Sequence, residues 1–108
     1  MTTKHRHNYK NLRIWSLGLD IVNDVFDVIG EFSSDEKFGL KSQLSRCSIS
    51  IPSNIAEGSS RTDKSFSHFI DIALGSSFEL ETQLIIACNR KYLTIEKLNQ
   101  IQEKIAEF

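Results

Sequence analysis

Apolar residues recur at intervals of three and four along most of this 108-residue chain, which is the spacing of amphipathic helices rather than of strands. One proline and five glycines leave few turn signals, which also favours a small number of long helices. The periodic segments predict helices at about Asn11–Phe32, between the polar Ser33–Lys37 turn and Gly58, from Thr62 or Asp63 to Asn89 or Arg90, and after Thr94. The second helix is expected to be capped by Ser34 or Asp35.

The first predicted helix has two apolar faces instead of one. Its first face consists of Leu12, Trp15, Leu19, Val22, Phe26 and Ile29, and its second face consists of Ile14, Leu17, Ile21, Val25, Val28 and Phe32. An offset of two residues is about 200° around a helix, so the faces point in nearly opposite directions. A helix in a monomeric bundle needs only one buried face. The pattern indicates either a central helix or one that meets another subunit, and with three other helices to cover it we favour a homo-oligomer.

The second helix contains the only proline, Pro52, inside its apolar pattern of Leu40, Leu44, Cys47, Ile51 and Ile55. Proline removes a backbone donor and clashes with the carbonyl four residues earlier, so we expect one helix kinked at Pro52. The alternative is a separate short helix that begins at Pro52. We prefer the kinked helix because the apolar pattern keeps its phase across the proline. Gly58 is expected to end this helix as a left-handed residue.

The third helix holds a glycine in its middle, Gly75, which costs about 1 kcal/mol relative to alanine. Close packing against a neighbouring helix would justify it, and Ser76 and Ser77 suit the same purpose. Thr62 or Asp63 is expected to cap this helix and Thr94 to cap the fourth. Together the pattern predicts an all-α, antiparallel up-down four-helix bundle, formed by residues 11–108 as a single domain after a basic, flexible tail of residues 1–10.

The composition excludes several classes of protein. Hydrophobic and charged fractions of 40% and 25% are ordinary for a globular domain. There is no apolar run of about 20 residues and no signal-peptide pattern, so a cytoplasmic location without membrane contact is expected. Cys47 and Cys88 lie at apolar periodic positions without a C-x-x-C motif, which is typical of reduced thiols in a core. His68 is the only histidine outside the tail. We therefore expect no metal site, no cofactor and no catalytic residues.

Three sequence blocks closely resemble one known family. They are FGL-x-x-QL-x-R, SIP-x-NIAEG-x-x-R and GS-x-x-EL-x-T-x-L, within a similarity that extends from about Tyr9 to Leu98. The family comprises four-helix bundle proteins associated with intervening sequences in bacterial 23S ribosomal RNA genes, and has also been called S23 ribosomal protein. The resemblance implies a ring-like homopentamer. It also implies kinship with the accessory variability protein of diversity-generating retroelements, which binds nucleic acid and a reverse transcriptase.

The charge pattern suggests where an anionic partner would bind. The net charge is only −1, but Lys4, Arg6 and Lys10 make the first ten residues basic, together with His5 and His7. These cations are our first candidates for RNA phosphate contacts, against the alternative of an ordinary solvated tail. Candidates for secondary contacts are Arg46, Lys64, Arg90 and Lys91. The first helix is acidic, through Asp20, Asp24, Asp27 and Glu31.

A second candidate site is a polar motif at the junction of the second and third helices. It consists of Asn54, Glu57, Gly58, Arg61, Ser76 and Glu79. Asn54, Glu57 and Arg61 share one helix face, and Glu79 is expected to approach them across the hairpin. The set is either a ligand or phosphate site, or a hydrogen-bonded cluster that fixes the hairpin angle; the structural role is favoured.

Two functions are compatible with these patterns. The first is a non-enzymatic homo-oligomer associated with RNA, which the family resemblance and the basic tail support. The second is a structural or protein-interaction scaffold that does not bind nucleic acid, which the two apolar faces and the acidic first helix support.

Overall fold

The computed structural model describes residues 8–32 and 39–108, and within these ranges every regular element is helical. A 3-10 turn at Tyr9–Asn11 precedes four α-helices: α1 (Arg13–Gly30), α2 (Leu40–Ser59), α3 (Asp63–Asn89) and α4 (Ile95–Glu107). This confirms the all-α four-helix architecture. The predicted ends of α1, α3 and α4 are correct to within about two residues. The predicted start of the second helix is wrong, because α2 begins at Leu40 with Gly39 at its N-cap position. Lys4, Arg6 and the predicted caps Ser34 and Asp35 lie outside the described residues.

The helices pack in an antiparallel arrangement. The most extensive contact is between α2 and α3, α1 packs on α2, and α4 lies against both α1 and α3. The Lys104 Nζ–Asp24 Oδ2 distance of 2.7 Å and the Arg13 Nη2–Glu107 Oε1 distance of 2.6 Å show the register of α4 on α1. The molecule is elongated, with extents of 56 × 25 × 18 Å.

The second apolar face of α1 forms its side of the core. Leu17, Ile21, Val25, Val28 and Phe32 are all buried. The other helices contribute the positions that their periodicity predicts: Leu44, Cys47, Ile51 and Ile55 from α2, Ala73, Leu80, Leu84 and Ala87 from α3, and Leu98, Ile101 and Ile105 from α4. Burial of one continuous apolar cluster is the main force that holds such a bundle together.

Side-chain caps form where threonines precede helices. The Thr62 hydroxyl accepts from the Ser65 amide at 3.3 Å, and the Thr94 hydroxyl accepts from the Lys97 amide at 3.2 Å. The Asn8 side chain caps the 3-10 turn that precedes α1, because its Oδ1 accepts from the Lys10 amide at 3.2 Å. The turn holds Tyr9 against Trp15, with ring centroids 5.2 Å apart.

Pro52 lies inside one continuous helix, since α2 extends from Leu40 to Ser59. The alternative of a separate helix beginning at Pro52 is therefore wrong, while the kink stays a prediction. Gly18 of α1 faces this point: a β-carbon there would lie 3.3 Å from the Pro52 β-carbon. The glycine thus lets α1 approach α2 at the proline.

Two glycine predictions are wrong. Gly58 does not end α2 as a left-handed residue, because the helix continues to Ser59 and no described glycine has positive φ. Gly58 is instead a packing position, at which a β-carbon would lie 2.5 Å from the Phe69 β-carbon. Gly75 was expected at a close helix contact, but a β-carbon there would have no neighbour within 4 Å. Sequence alone does not show which glycine faces the partner helix.

Two serines lie in the core with their hydroxyls satisfied. Ser48 and Ser77 are fully buried, and each hydroxyl donates to a carbonyl one turn earlier, at 3.0 Å and 2.6 Å. Small side chains with satisfied hydroxyls allow two helix backbones to approach without leaving buried polar groups unpaired.

None of the described helices combines the length and hydrophobicity that a bilayer-spanning segment needs.

Candidate functional site

The polar motif at the α2–α3 junction is divided between three places. At the tip of the hairpin, Arg61 Nη2 lies 3.1 Å from Glu57 Oε2, and both side chains are at least half exposed. The Arg61 guanidinium also stacks over the Phe69 ring, 5.4 Å from its centroid. An exposed pair of this kind contributes only about 0–1 kcal/mol to stability.

The second place is a hydrogen-bonded bridge between the helices. Asn54 Nδ2 donates to the Ser50 carbonyl at 2.8 Å and lies 2.9 Å from Ser50 Oγ. Ser50 Oγ and Ser76 Oγ share a hydrogen bond of 2.9 Å across the helix interface. Asn54 and Ser76 are thus brought together, but through Ser50, a residue that the sequence analysis did not single out.

Glu79 occupies the third place, beside Cys47 rather than beside Arg61. Gln43, Arg46, Cys47, Ser50, Ser76 and Glu79 line a polar cleft of about 220 Å³. Because α2 and α3 are antiparallel, the Ser50–Ser76 contact fixes the register, and Glu79 falls three residues further along α3, toward the start of α2. The expected approach of Glu79 to Glu57 and Arg61 does not occur.

The chemistry available in this cleft is limited. Burial, the negative charge of Glu79 and a hydrogen bond with Glu79 together raise the pKa of the Cys47 thiol to about 12. The Ser76 carbonyl oxygen, 3.1 Å from Cys47 Sγ, is a second acceptor for the single thiol proton. A thiol that stays protonated is neither a nucleophile nor a metal ligand. Among the described residues, no group of three His, Cys, Asp or Glu side chains could hold a metal ion.

The described candidate cations do not form one cluster. Lys64 lies in the first turn of α3, and Arg90 and Lys91 follow its last turn. At 1.5 Å per residue, these two groups are roughly 40 Å apart. Lys10 lies in the 3-10 turn, with its Nζ 5.9 Å from the Tyr9 ring centroid. Arg46 lies between these ends, at the polar cleft.

The acidic residues of α1 face cations of α4. Lys104 Nζ donates to Asp24 Oδ2 at 2.7 Å, and this hydrogen bond is the main cause that raises the pKa of Lys104. Lys104 also shares a surface hollow with Asp20, and Lys97 shares another with Asp27. Asp24 is therefore paired within the chain, and Asp20 and Asp27 lie beside lysines of α4.

The first apolar face of α1 borders a groove that the chain leaves open. Trp15, Leu19 and Val22 of α1 and Ile49, Pro52 and Ala56 of α2 line it, and we call these six residues the α1/α2 groove. The cavity, which Tyr9 and Ser53 also line, measures about 350 Å³. Phe26 extends the same apolar face of α1 and is 45% exposed. The sequence pattern of two apolar faces predicted this surface.

A second exposed apolar surface lies on α3. Phe78 follows Leu74 by one helical turn, and Ile85 follows Phe78 by two turns. We call these three residues the α3 ridge. Phe78 is 57% exposed, more than any other large apolar residue among those described. The ridge is not among the sequence predictions, although the spacing of its residues could have identified it. They were overlooked because the core positions of α3 accounted for its periodicity.

Comparison with known proteins gives one family. The model of the family described as 23S rRNA-intervening sequence protein matches residues 10–108. The comparison with curated proteins gives no match.

Proposed function

Since the chain belongs to the 23S rRNA-intervening sequence protein family, we propose that it is a non-enzymatic helical bundle that assembles with copies of itself and binds RNA in the cytoplasm. In this proposal the bundle is a scaffold that positions basic side chains against RNA, with no catalytic step and no cofactor. The ring-like homopentamer implied by the family resemblance is the assembly we favour.

Exposed apolar surface is the observation that carries the proposal. The α1/α2 groove and the α3 ridge leave large apolar side chains in water, among them Phe78 at 57% and Ile49 at 44% exposure. Contiguous exposed apolar patches on a small domain mark interaction sites. The two surfaces lie on different helices, so one copy can offer both to its neighbours.

Self-association would also compensate for the scattered cations. A single chain places Lys64 and Lys91 at opposite ends of α3, too far apart to contact the same few phosphates. In a ring, the same end of every subunit faces the same side. Lys10 and Lys64 of each copy would then add to the tail residues Lys4 and Arg6, and electrostatic affinity for RNA grows with the number of phosphates contacted.

Fluorescence anisotropy of a labelled structured RNA, measured across a salt series, tests the RNA part. We expect binding at low salt that weakens steeply as salt rises. We expect that replacing Lys10 and Lys64 together by glutamine makes salt dependence weaker. The plot of log association constant against log salt concentration should become less steep by about 0.7–0.9 for each lost phosphate contact. The Arg90→Gln, Lys91→Gln double variant removes the same charge at the other end and is the matched control.

Truncation isolates the tail. Removal of residues 1–7 takes away Lys4 and Arg6 but keeps Tyr9, which packs on Trp15. RNA binding should be lost or strongly weakened, with the helical circular dichroism unchanged. Absence of binding by the full chain at low salt would overturn the RNA function.

The alternative is a scaffold that binds proteins and not nucleic acid. The net charge of −1 favours it, because nucleic-acid-binding domains are usually basic. Under this alternative the chain still self-associates, but it does not bind RNA, and truncation of the tail changes nothing.

A further inference from the structure

We propose that the α3 ridge of one copy docks into the α1/α2 groove of the next, in a head-to-tail contact. This inference rests on the proposed self-association and adds which surfaces meet. The ridge and the groove are different surfaces of the same chain, so the contact is heterologous. A heterologous contact repeated around an axis closes into a ring, whereas a contact between two like surfaces would end at a dimer.

The shapes and polarity of the two surfaces are complementary. The groove is a depression of about 350 Å³ walled by Trp15, Pro52 and other apolar groups. The ridge is centred on Phe78. Leu74 lies one helical turn before it, and Ile85 lies two turns after it. A protruding aromatic side chain that enters a mostly apolar depression is typical of the energetic centre of a protein interface.

The charges around the two surfaces are also complementary. Between residues 65 and 89, α3 contains no lysine or arginine, and its acids are Asp71, Glu79 and Glu81. Asp71 precedes Leu74 by three residues and Glu81 follows Phe78 by three, so both acids flank the ridge. By contrast, α2 carries Lys41 and Arg46, with Glu57 as its only acid.

One cation of α2 lies close to the groove. Arg46 is one turn from Ile49, which lines the groove. The acids of α1 do not oppose this match, since Asp24 pairs with Lys104 and Asp20 and Asp27 border α4. Complementary charges at the rim orient the partners, and the apolar centre supplies the affinity.

Two charge insertions and their mixture test the contact. Phe78→Glu places a charge on the α3 ridge and leaves the α1/α2 groove unchanged. Ile49→Glu places a charge in the groove and leaves the ridge unchanged. In sedimentation velocity each variant alone should be monomeric, because glutamate would be buried without a partner. An equimolar mixture should form a one-to-one dimer, since one good ridge and one good groove remain. Ile95→Glu, at an exposed apolar position of α4, is the control and should assemble like the unmodified protein.

A photo-crosslink supplies a second measurement in the intact assembly. With p-benzoylphenylalanine at position 78, mass spectrometry should locate the intermolecular crosslinks in residues 15–22 and 49–56. Crosslinks within 74–85 would mean that two ridges meet and would overturn the inference, as would unchanged assembly of both glutamate variants. An unmodified chain that is monomeric throughout a concentration series would instead overturn the proposed self-association itself.

Discussion

Gly58 of α2 and Phe69 of α3 mark a close approach of the two helices, since a β-carbon at position 58 would lie 2.5 Å from the Phe69 β-carbon. Real β-carbons do not come this close to one another. The Phe66 ring is also near, 3.0 Å from the same position. The glycine is therefore required for steric reasons and not for its backbone freedom.

We predict that Gly58→Ala destabilises the protein. The added methyl group must push apart α2 and the first half of α3, and overpacking of this kind costs about 1–3 kcal/mol. Alanine recovers about 1 kcal/mol through its higher helix propensity, so the net loss should be about 0–2 kcal/mol, nearer the upper value because the clash is between two β-carbons. Urea denaturation followed by circular dichroism measures it.

Gly75→Ala is the matched substitution in an open position and should have the opposite sign. Apart from the adjoining residues and the backbone of its own helix, no atom lies within 4 Å of the place that the added methyl group would take. The gain in helix propensity should therefore raise the free energy of unfolding by about 0.5–1 kcal/mol. A loss of stability at position 75 would show that another part of an assembly packs there.

The two glycines show what periodicity can and cannot predict. The helices, their core faces and the Thr62 and Thr94 caps follow from local spacing, and the structure confirms them. The contacts of Gly58 and Gly75 depend on how α2 and α3 are rotated and shifted against each other. That register is a property of tertiary packing, so the sequence alone assigned the close contact to the wrong glycine.

The same limit applies to the candidate site. The open face of α1 was predictable because it is a pattern within one helix. The grouping of Glu79 with Arg61 was not, because it assumed a register between two helices. The structure instead sets Ser76 opposite Ser50, which moves Glu79 to Cys47.

Lys91 carries a further prediction, because it is the only described residue other than glycine with positive φ, at 67°. The Lys91 amide donates to the Cys88 carbonyl at 2.9 Å, and the Tyr92 amide donates to the Ala87 carbonyl at 2.9 Å. This is the Schellman ending of a helix, where glycine is the usual left-handed residue. Lys91→Gly should raise the melting temperature, with a gain of roughly 0.5–1 kcal/mol. Lys91→Ala removes the same charge but keeps the backbone penalty, and it should give no gain.

The buried Cys47 thiol makes stability depend on alkaline pH. Its pKa is about 12 in the folded protein, against an ordinary value of 9.0. Above pH 9 the unfolded chain therefore releases this proton while the folded chain keeps it, which favours unfolding. The free energy of unfolding should fall as pH rises from about 9 toward 12, by at most about 1.4 kcal/mol per pH unit for this group.

Urea denaturation of the unmodified protein and of Cys47→Ala, at several alkaline pH values, measures this dependence. Other groups titrate alike in both proteins, including Lys104, whose pKa is also raised. The fall in stability should therefore be steeper in the unmodified protein. Parallel curves would show that the thiol titrates normally in the folded state.

Arg61→Ala should have little effect on stability. Arg61 and Glu57 form an exposed ion pair with side chains 50% and 56% accessible. Pairs of this kind contribute about 0–1 kcal/mol, and the contact of Arg61 with Phe69 is also at the surface. A drop in the melting temperature equivalent to more than about 2 kcal/mol would restore a structural role for this part of the polar motif.

Ser50→Ala should be clearly destabilising, because Ser50 is the centre of the bridge between α2 and α3. Its hydroxyl is 2.9 Å from Asn54 Nδ2 and 2.9 Å from Ser76 Oγ, so alanine removes two half-buried hydrogen bonds. At about 0.5–1.5 kcal/mol for each bond, the loss should be about 1–3 kcal/mol. The matched control is Ser53→Ala, an exposed serine in the same helix, which measures the change in helix propensity alone. If the two variants have equal free energies of unfolding, the bridge does not stabilise the hairpin.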